Sequence, residues 1–294
     1  AYTCANTGNN TATLTVNDGN SNTGTCTSQV NVQDVTAPSI TCQNHTVNLD
    51  GSGNASLSAT DITASASDNC NTNPSVSPGS FTCANVGNNT ATLTVNDGNG
   101  NSSSCTSQVT VQDVTAPSIT CQNTTIEVLG AGTASLSAAQ VTASSSDNCA
   151  TNALVSPNSF TCANLGTVNV TLSVNDGNGN TSTCTSNVTV NDDAGPSVTC
   201  QNYTLNLDGS GNGTLTTANA YSSGSDNCGT VNQQSVSPSA YTCANIGNST
   251  ATLTVNDGNG NTGTCTSQVT VQENTPPTVT CQNAILNLDG AGNA

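Results

Sequence analysis

Cysteine and aspartate are the residues of this chain whose types and spacing could do chemistry, and both recur at fixed intervals. The 15 cysteines fall into four contexts, T-C-Q-N, D-N-C, T-C-A-N and T-C-T-S, repeated in that order. Cys42, Cys121, Cys200 and Cys281 are spaced by 79, 79 and 81 residues. The acidic residues keep the same interval. Asp34, Asp113 and Asp192 with Asp193 end a strand-like run, Asp68, Asp147 and Asp226 stand two residues before a cysteine, and Asp97, Asp176 and Asp257 open a D-G turn. Cysteines repeated in this way imply cross-links formed in an oxidising compartment, outside the cell or at its surface. No C-x-x-C or C-x-H spacing marks a thiolate metal site. The carboxylates are hard oxygen ligands, and with nearby Asn and backbone oxygens they suit Ca²⁺ at the junction between successive repeats. Asp97, Asn99 and Asn101 follow the D-x-N-x-N opening of a calcium loop, although no acidic residue closes it at the twelfth position. The competing reading is ordinary turn chemistry, in which Asp of D-G and D-N hydrogen-bonds its own backbone.

Composition excludes several classes of function. There is no Lys or Arg, one His, and a formal net charge of -17, so nucleic acid and anionic membranes find no electrostatic footing. Schiff-base chemistry and Lys–Asn isopeptide bonds lack their amine. His45 is the single histidine and cannot serve a Ser/His/Asp set in every repeat. Paired carboxylates suit glycoside hydrolysis, but their recurrence in tandem and the shortage of aromatic platforms oppose it. The chain is expected not to be an enzyme. N-x-[ST] sequons, among them Asn44, Asn88, Asn123, Asn202 and Asn248, are about as frequent as this composition delivers by chance; glycosylation stays open. The sequence contains no signal peptide and no apolar run of membrane-spanning length, about 20 residues.

The elements that must position these side chains are β-strands. Ala91 to Asp113 reads as a hairpin: Ala91, Leu93 and Val95 share one face of the first arm with threonines on the other, Cys105, Val109 and Val111 of the second arm point inward by the same period of two, and Gly98 to Asn101 supplies the reversal. It returns at Ala12, Val170 and Ala251. Three units follow, 35–113, 114–192 and 193–273, flanked by the tail of a preceding unit, 1–34, and the head of a following one, 274–294. Within 35–113, the phase shift between Ile40/Cys42 and Val47/Leu49 predicts a first strand that bulges or moves between sheets. Ala55 to Ile62 reads as a weak strand, Thr63 to Pro74 as a polar loop, and Ser75–Ser77 and Phe81–Cys83 as short strands. No helical period appears. The fold expected is all-β, a tandem series of antiparallel sandwiches. Pro38, Pro117, Pro196 and Pro276-Pro277 stiffen the junctions and favour an extended rod. With 2% aromatic residues and no Met or Trp, each core is thin and needs covalent staples.

The order Pro38, Cys42, Asp68-Asn69-Cys70, Val86-Gly87, Val95, Asp97-Gly98, Gly100-Asn101, Cys105, Val109, Val111 resembles the hyalin-repeat (HYR) type of immunoglobulin-like domain. It is closest to the Thr/Asn-rich arrays of secreted Bacteroidota-like proteins. The resemblance implies an extracellular, non-catalytic adhesion or scaffold module. Cys83 departs from the family's common pattern. Four cysteines allow three pairings. Sandwich geometry, with first and last strands parallel, favours Cys42 with Cys105, Cys121 with Cys184 and Cys200 with Cys265. That leaves Cys70 with Cys83, Cys149 with Cys162 and Cys228 with Cys243; Cys42–Cys70 with Cys83–Cys105 competes. The function expected is an extracellular structural repeat protein, a stalk, adhesin shaft or filament that associates with further copies of itself. The alternative is a calcium-dependent array binding a glycan or cell-surface partner by avidity.

Overall fold

The computed structural model describes residues 1–294. The chain forms two compact units, one of residues 1–123, 137–156 and 169–186, the other of 124–136, 157–168 and 187–294.

The first unit opens with a hairpin, β1 (Gly8–Asn17) and β2 (Thr23–Val32), paired antiparallel without a break. Then come β3 (Ser39–Cys42), β4 (His45–Asn48), β5 (Asn54–Ser56), one helical turn α1 (Ala59–Ile62), β6 (Thr63–Ser67), β7 (Asn73–Ser77), β8 (Ser80–Thr82), β9 (Gly87–Asn96) and β10 (Ser102–Gln112). One sheet has the order β4-β10-β9-β7; β3 with β6 and β5 with β8 form two small pairs against it. All neighbours are antiparallel except β4, which runs parallel to β10 with Val47 opposite Val111. Between β3 and β4 the chain changes sheets. The register slips at Thr41/Cys42, and this is the physical source of the phase shift between Ile40 and Val47. Ala91, Leu93 and Val95 of β9 and Val109 and Val111 of β10 meet Val47, Leu49, Leu57, Ile62 and Phe81 in the core. Alternation at period two therefore buries one face of each long strand and leaves the Thr face outward.

Two local expectations are corrected. Ala55 to Ile62 is not one strand, because after β5 Ser58 caps a single helical turn. Its N–H and its Oγ each donate to Asp61 Oδ2 at 2.7 Å, a capping box that closes the turn and drives Ile62 into the core. Thr63 to Pro74 is not all loop, since Thr63–Ser67 pairs with β3 although its Thr-Ala-Ser-Ala-Ser lacks apolar alternation.

The second unit repeats the pattern. Tyr203–Asn206 runs parallel to Thr262–Gln272, which pairs with Gly247–Asn256 and through it with Asn232–Ser237. Ser197–Cys200 pairs with Tyr221–Ser225, and Asn212–Thr214 with Ala240–Thr242. Leu205, Leu207, Leu215, Tyr241, Ala251, Val269 and Val271 fill its core. One of the two extra residues of this repeat is absorbed by a bulge at Gln234, where the register jumps from Gln233 to Ser235. Each repeat is an immunoglobulin-like β-sandwich, and the sandwiches follow one another along the chain.

Candidate metal centre

Three short segments bring carboxylates together. The first is the hairpin turn after β9. Asp97 is buried there, at 1% exposure. Its Oδ1 accepts the Asn99 and Asn101 N–H groups at 2.8 and 3.0 Å, and its Oδ2 accepts the Asn101 amide. Gly98 and Gly100 have φ of 77° and 109°, a reversal that favours glycine. The second is the Asp-Asn-Cys loop between β6 and β7, where Asp68 Oδ2 accepts the Cys70 N–H at 2.8 Å. The third is Asp34 after β2. Its carboxylate accepts the Asn69 amide at 3.1 Å and the Asn99 amide at 3.2 Å, and its backbone carbonyl accepts the Asn101 amide at 3.1 Å.

One carboxylate oxygen from each of Asp34, Asp68 and Asp97 lies within 4.8 Å of the others. The same is true of Asp113, Asp147 and Asp176, and of Asp192, Asp226 and Asp257. Asp193 stands outside the third triad. It lies beside Glu127, whose carboxyl is pushed above the ordinary glutamate range first by burial and then by the Asp193 charge. Burial opposes the charge on Asp97, Asp176 and Asp257. The amides of Asn101, Asn180 and Asn261 and the turn's N–H groups outweigh it and hold these carboxyls below the usual range. Turn chemistry and ligand geometry are thus both present, in the same residues. Turn bonds do not use every oxygen, however. Oδ1 of Asp68, Asp147 and Asp226, and Oδ1 of Asn148 and Asn227, are buried with no hydrogen-bond partner. A chain without Lys or Arg has no side-chain cation of its own, the half-buried His45 apart, to neutralise such a triad.

The disulfides require the main correction. Cys42 bonds Cys105, Cys121 bonds Cys184 and Cys200 bonds Cys265. Cys70, Cys149 and Cys228 do not bond Cys83, Cys162 and Cys243. Instead Cys4 bonds Cys70, Cys83 bonds Cys149 and Cys162 bonds Cys228, each across 66 residues from one repeat to the next. The competing pattern, Cys42–Cys70 with Cys83–Cys105, is not formed either. The reason is distance. Cys70 lies near the Asn96 end of β9, where Asn73 pairs with Asn96, whereas Cys83 precedes Gly87 at its other end. Ten residues of strand separate those ends by about 33 Å, far beyond the ~7 Å Cα reach of a disulfide. Each 66-residue closure contributes about 4 kcal/mol on the loop-entropy model. Cys26, Cys243 and Cys281 are free and exposed.

The Asp-Asn-Cys tripeptide is therefore shared by two features. Asp147 belongs to the acidic triad, Cys149 to the cross-link, and Asn148 between them donates its amide to Asp113 Oδ1 at 3.1 Å and to the Asp50 carbonyl at 3.2 Å. Asn227 does the same toward Asp192 Oδ1 and the Val128 carbonyl. Beneath the cross-link, Gly53 has φ of 75°, and a Cβ there would lie 2.6 Å from the Asn148 carbonyl oxygen and 2.7 Å from Cys83 Sγ. The sequon residues Asn44, Asn88, Asn123, Asn202 and Asn248 are all exposed. Asn44 and Asn202 accept the Gln108 and Gln268 N–H groups, and Asn88 and Asn248 accept the Thr110 and Thr270 hydroxyls.

No family model and no curated protein sequence matches the chain. Solved structures that resemble it are tandem β-domain proteins. Sidekick-1 immunoglobulin domains 1–5 match at 11% identity and a TM-score of 0.37, covering 93% of this chain and 68% of that one. Titin domains I67–I69 match at 9% identity and 0.34, covering 81% and 100%. The protocadherin structure PcdhgB3 EC1-4 matches at 13% and 0.28, covering 90% and 83%.

Proposed function

We propose that this is an extracellular structural repeat protein of the HYR-like kind, a non-catalytic stalk or filament whose repeats, 35–113, 114–192 and 193–273, are joined by disulfides and by Ca²⁺ held at each acidic triad. Six disulfides suit an oxidising compartment. Asp34, Asp68 and Asp97, with Asp113, Asp147 and Asp176 and with Asp192, Asp226 and Asp257, would supply hard oxygen ligands. The buried oxygens left without partners are what favour this over turn chemistry alone. Bound cations would also offset the like-signed charge that keeps copies of the chain apart during self-association.

The observation that carries the mechanical reading is the overlap of the cross-links. Between Cys4 and Cys228, tension can pass through Cys4–Cys70, Cys83–Cys149 and Cys162–Cys228, using as polypeptide only 70–83 and 149–162. These are 13 residues each, at most about 45 Å apiece when fully extended. A second series, Cys42–Cys105, Cys121–Cys184 and Cys200–Cys265, runs beside it through the linkers. Pulling the oxidised chain in a single-molecule trap between handles placed beside Cys4 and Cys228 should give no release longer than about 45 Å from either segment. After reduction, a repeat of 79 residues should extend to a contour length of about 270 Å. Long releases from the oxidised chain would overturn the reading.

A further inference from the structure

We propose that each cation site is governed by the disulfide that shares its Asp-Asn-Cys loop, so that cation binding and the inter-repeat cross-link strengthen one another. This rests on the reading of the triads as Ca²⁺ sites and names what regulates them. The loop at 147–149 shows the coupling. Asp147 Oδ2 accepts the Cys149 N–H at 3.1 Å, the Asn148 amide reaches the triad at Asp113, and the bonded Cys83 Sγ sits 3.3 Å from the Asn148 carbonyl oxygen. Two of the unpartnered oxygens, Asp147 Oδ1 and Asn148 Oδ1, belong to the same tripeptide. The loop at 226–228 repeats the arrangement with Cys162 and Asp192, and the loop at 68–70 repeats it with Cys4 and Asp34. The disulfides Cys42–Cys105, Cys121–Cys184 and Cys200–Cys265 place no residue in any of these loops.

Reduction by a dithiol breaks one sulfur–sulfur bond. Two electrons and two protons pass to Cys83 and Cys149, leaving two thiols, and the dithiol closes to its own disulfide. The 147–149 loop is then held only by its flanking strands. A cation must order Asp147 at the expense of its own binding, so affinity falls. Loss of residues that support metal ligands costs typically 10- to 100-fold in affinity, and the same factor must appear in the reverse direction as resistance of the disulfide to reduction. Tenfold corresponds to about 30 mV for a two-electron couple.

Two measurements on the full chain test this. Calorimetric titration with Ca²⁺ should show three sites in the oxidised protein, and in Cys83→Ala/Cys149→Ala one site weakened by 10- to 100-fold with two unchanged. Redox titration of the unaltered chain with dithiothreitol, read by alkylation and mass spectrometry, decides the matter should the variant not fold. Ca²⁺ should lower the potential of Cys4–Cys70, Cys83–Cys149 and Cys162–Cys228 by about 30–60 mV and leave Cys121–Cys184 where it was. Ca²⁺ binding with wild-type affinity in the variant, or equal shifts in both disulfide classes, would overturn the coupling alone. No Ca²⁺ uptake by the oxidised chain would overturn the cation reading and the coupling with it.

Discussion

Replacing Gly53 by alanine separates two costs that glycine avoids at the cross-link. The first is conformational. At φ of 75° an L-residue costs about 1–2 kcal/mol. The second is steric, because the new Cβ would stand 2.6 Å from the Asn148 carbonyl oxygen and 2.7 Å from Cys83 Sγ. Neither neighbour is a flexible side-chain end, as one is backbone and the other is bonded to Cys149. Overpacking of this kind costs about 1–3 kcal/mol, so Gly53→Ala should lose about 2–5 kcal/mol in total. Gly98→Ala is the control, with φ of 77° and nothing within 4 Å of its Cβ; it should lose only the conformational part. Thermal melts of both variants, with disulfides intact and chelator present, read the difference at roughly 4–8 °C per kcal/mol for a domain of this size. Equal melting temperatures for the two would show that the loop does not press on Gly53, and the account of the junction would fail.

Three further outcomes are expected. Tyr241 is 2% exposed and its hydroxyl has no hydrogen-bond partner, in the place that Phe81 and Phe160 fill in the other repeats, so Tyr241→Phe should stabilise the chain by about 1–2 kcal/mol in a denaturant melt; a loss would mean the hydroxyl is satisfied. Glu127, raised by burial and by Asp193, favours folding when protonated and loses that advantage as pH rises through its folded pKa. Glu127→Gln should therefore gain stability at pH 7, within about 1 kcal/mol, and match the parent below pH ~4; an unchanged difference across that range would refute the assignment. Asp97, Asp176 and Asp257 have depressed pKa values, so their contribution is complete above the unfolded value near ~3.9 and is lost as pH falls through the folded one. Metal-free melts between pH 6 and 2 should fall on that acid side, and a flat profile would contradict the turn bonds to these carboxylates.

What the sequence revealed tracks how local each signal is. Leu93, Val95, Val109 and Val111 announce their burial by alternation within a few residues, and all are buried. The step between Ile40 and Val47 is also a local break in period, and it marks the change of sheet. Thr63–Ser67 has no such mark, because it is a strand only through β3, 24 residues earlier. The helical turn at Ala59–Ile62 is a single turn, too short to repeat a helical period, and the Ser58…Asp61 box is the local signal that marks it. The 79-residue recurrence of the aspartates pointed to the junctions between repeats, and there the Asp68 loop and the Asp97 turn lie at one end of the sandwich beside Asp34. The same placement, extended to Cys83 at the far end of β9, excludes Cys70 as its partner. Finding Cys149 instead required relating loops 66 residues apart, which no window of sequence displays.

The overlapping cross-links bear on survival among extracellular proteases. Every peptide bond from Cys4 to Cys265 lies within at least one disulfide-closed ring. A single nick there releases nothing. Parting the piece that carries Cys4 from the piece that carries Cys265 takes three cleavages in the right intervals, for instance one each in 70–83, 83–105 and 105–121. Damage that would cut an ordinary string of domains in two leaves this chain whole on a non-reducing gel.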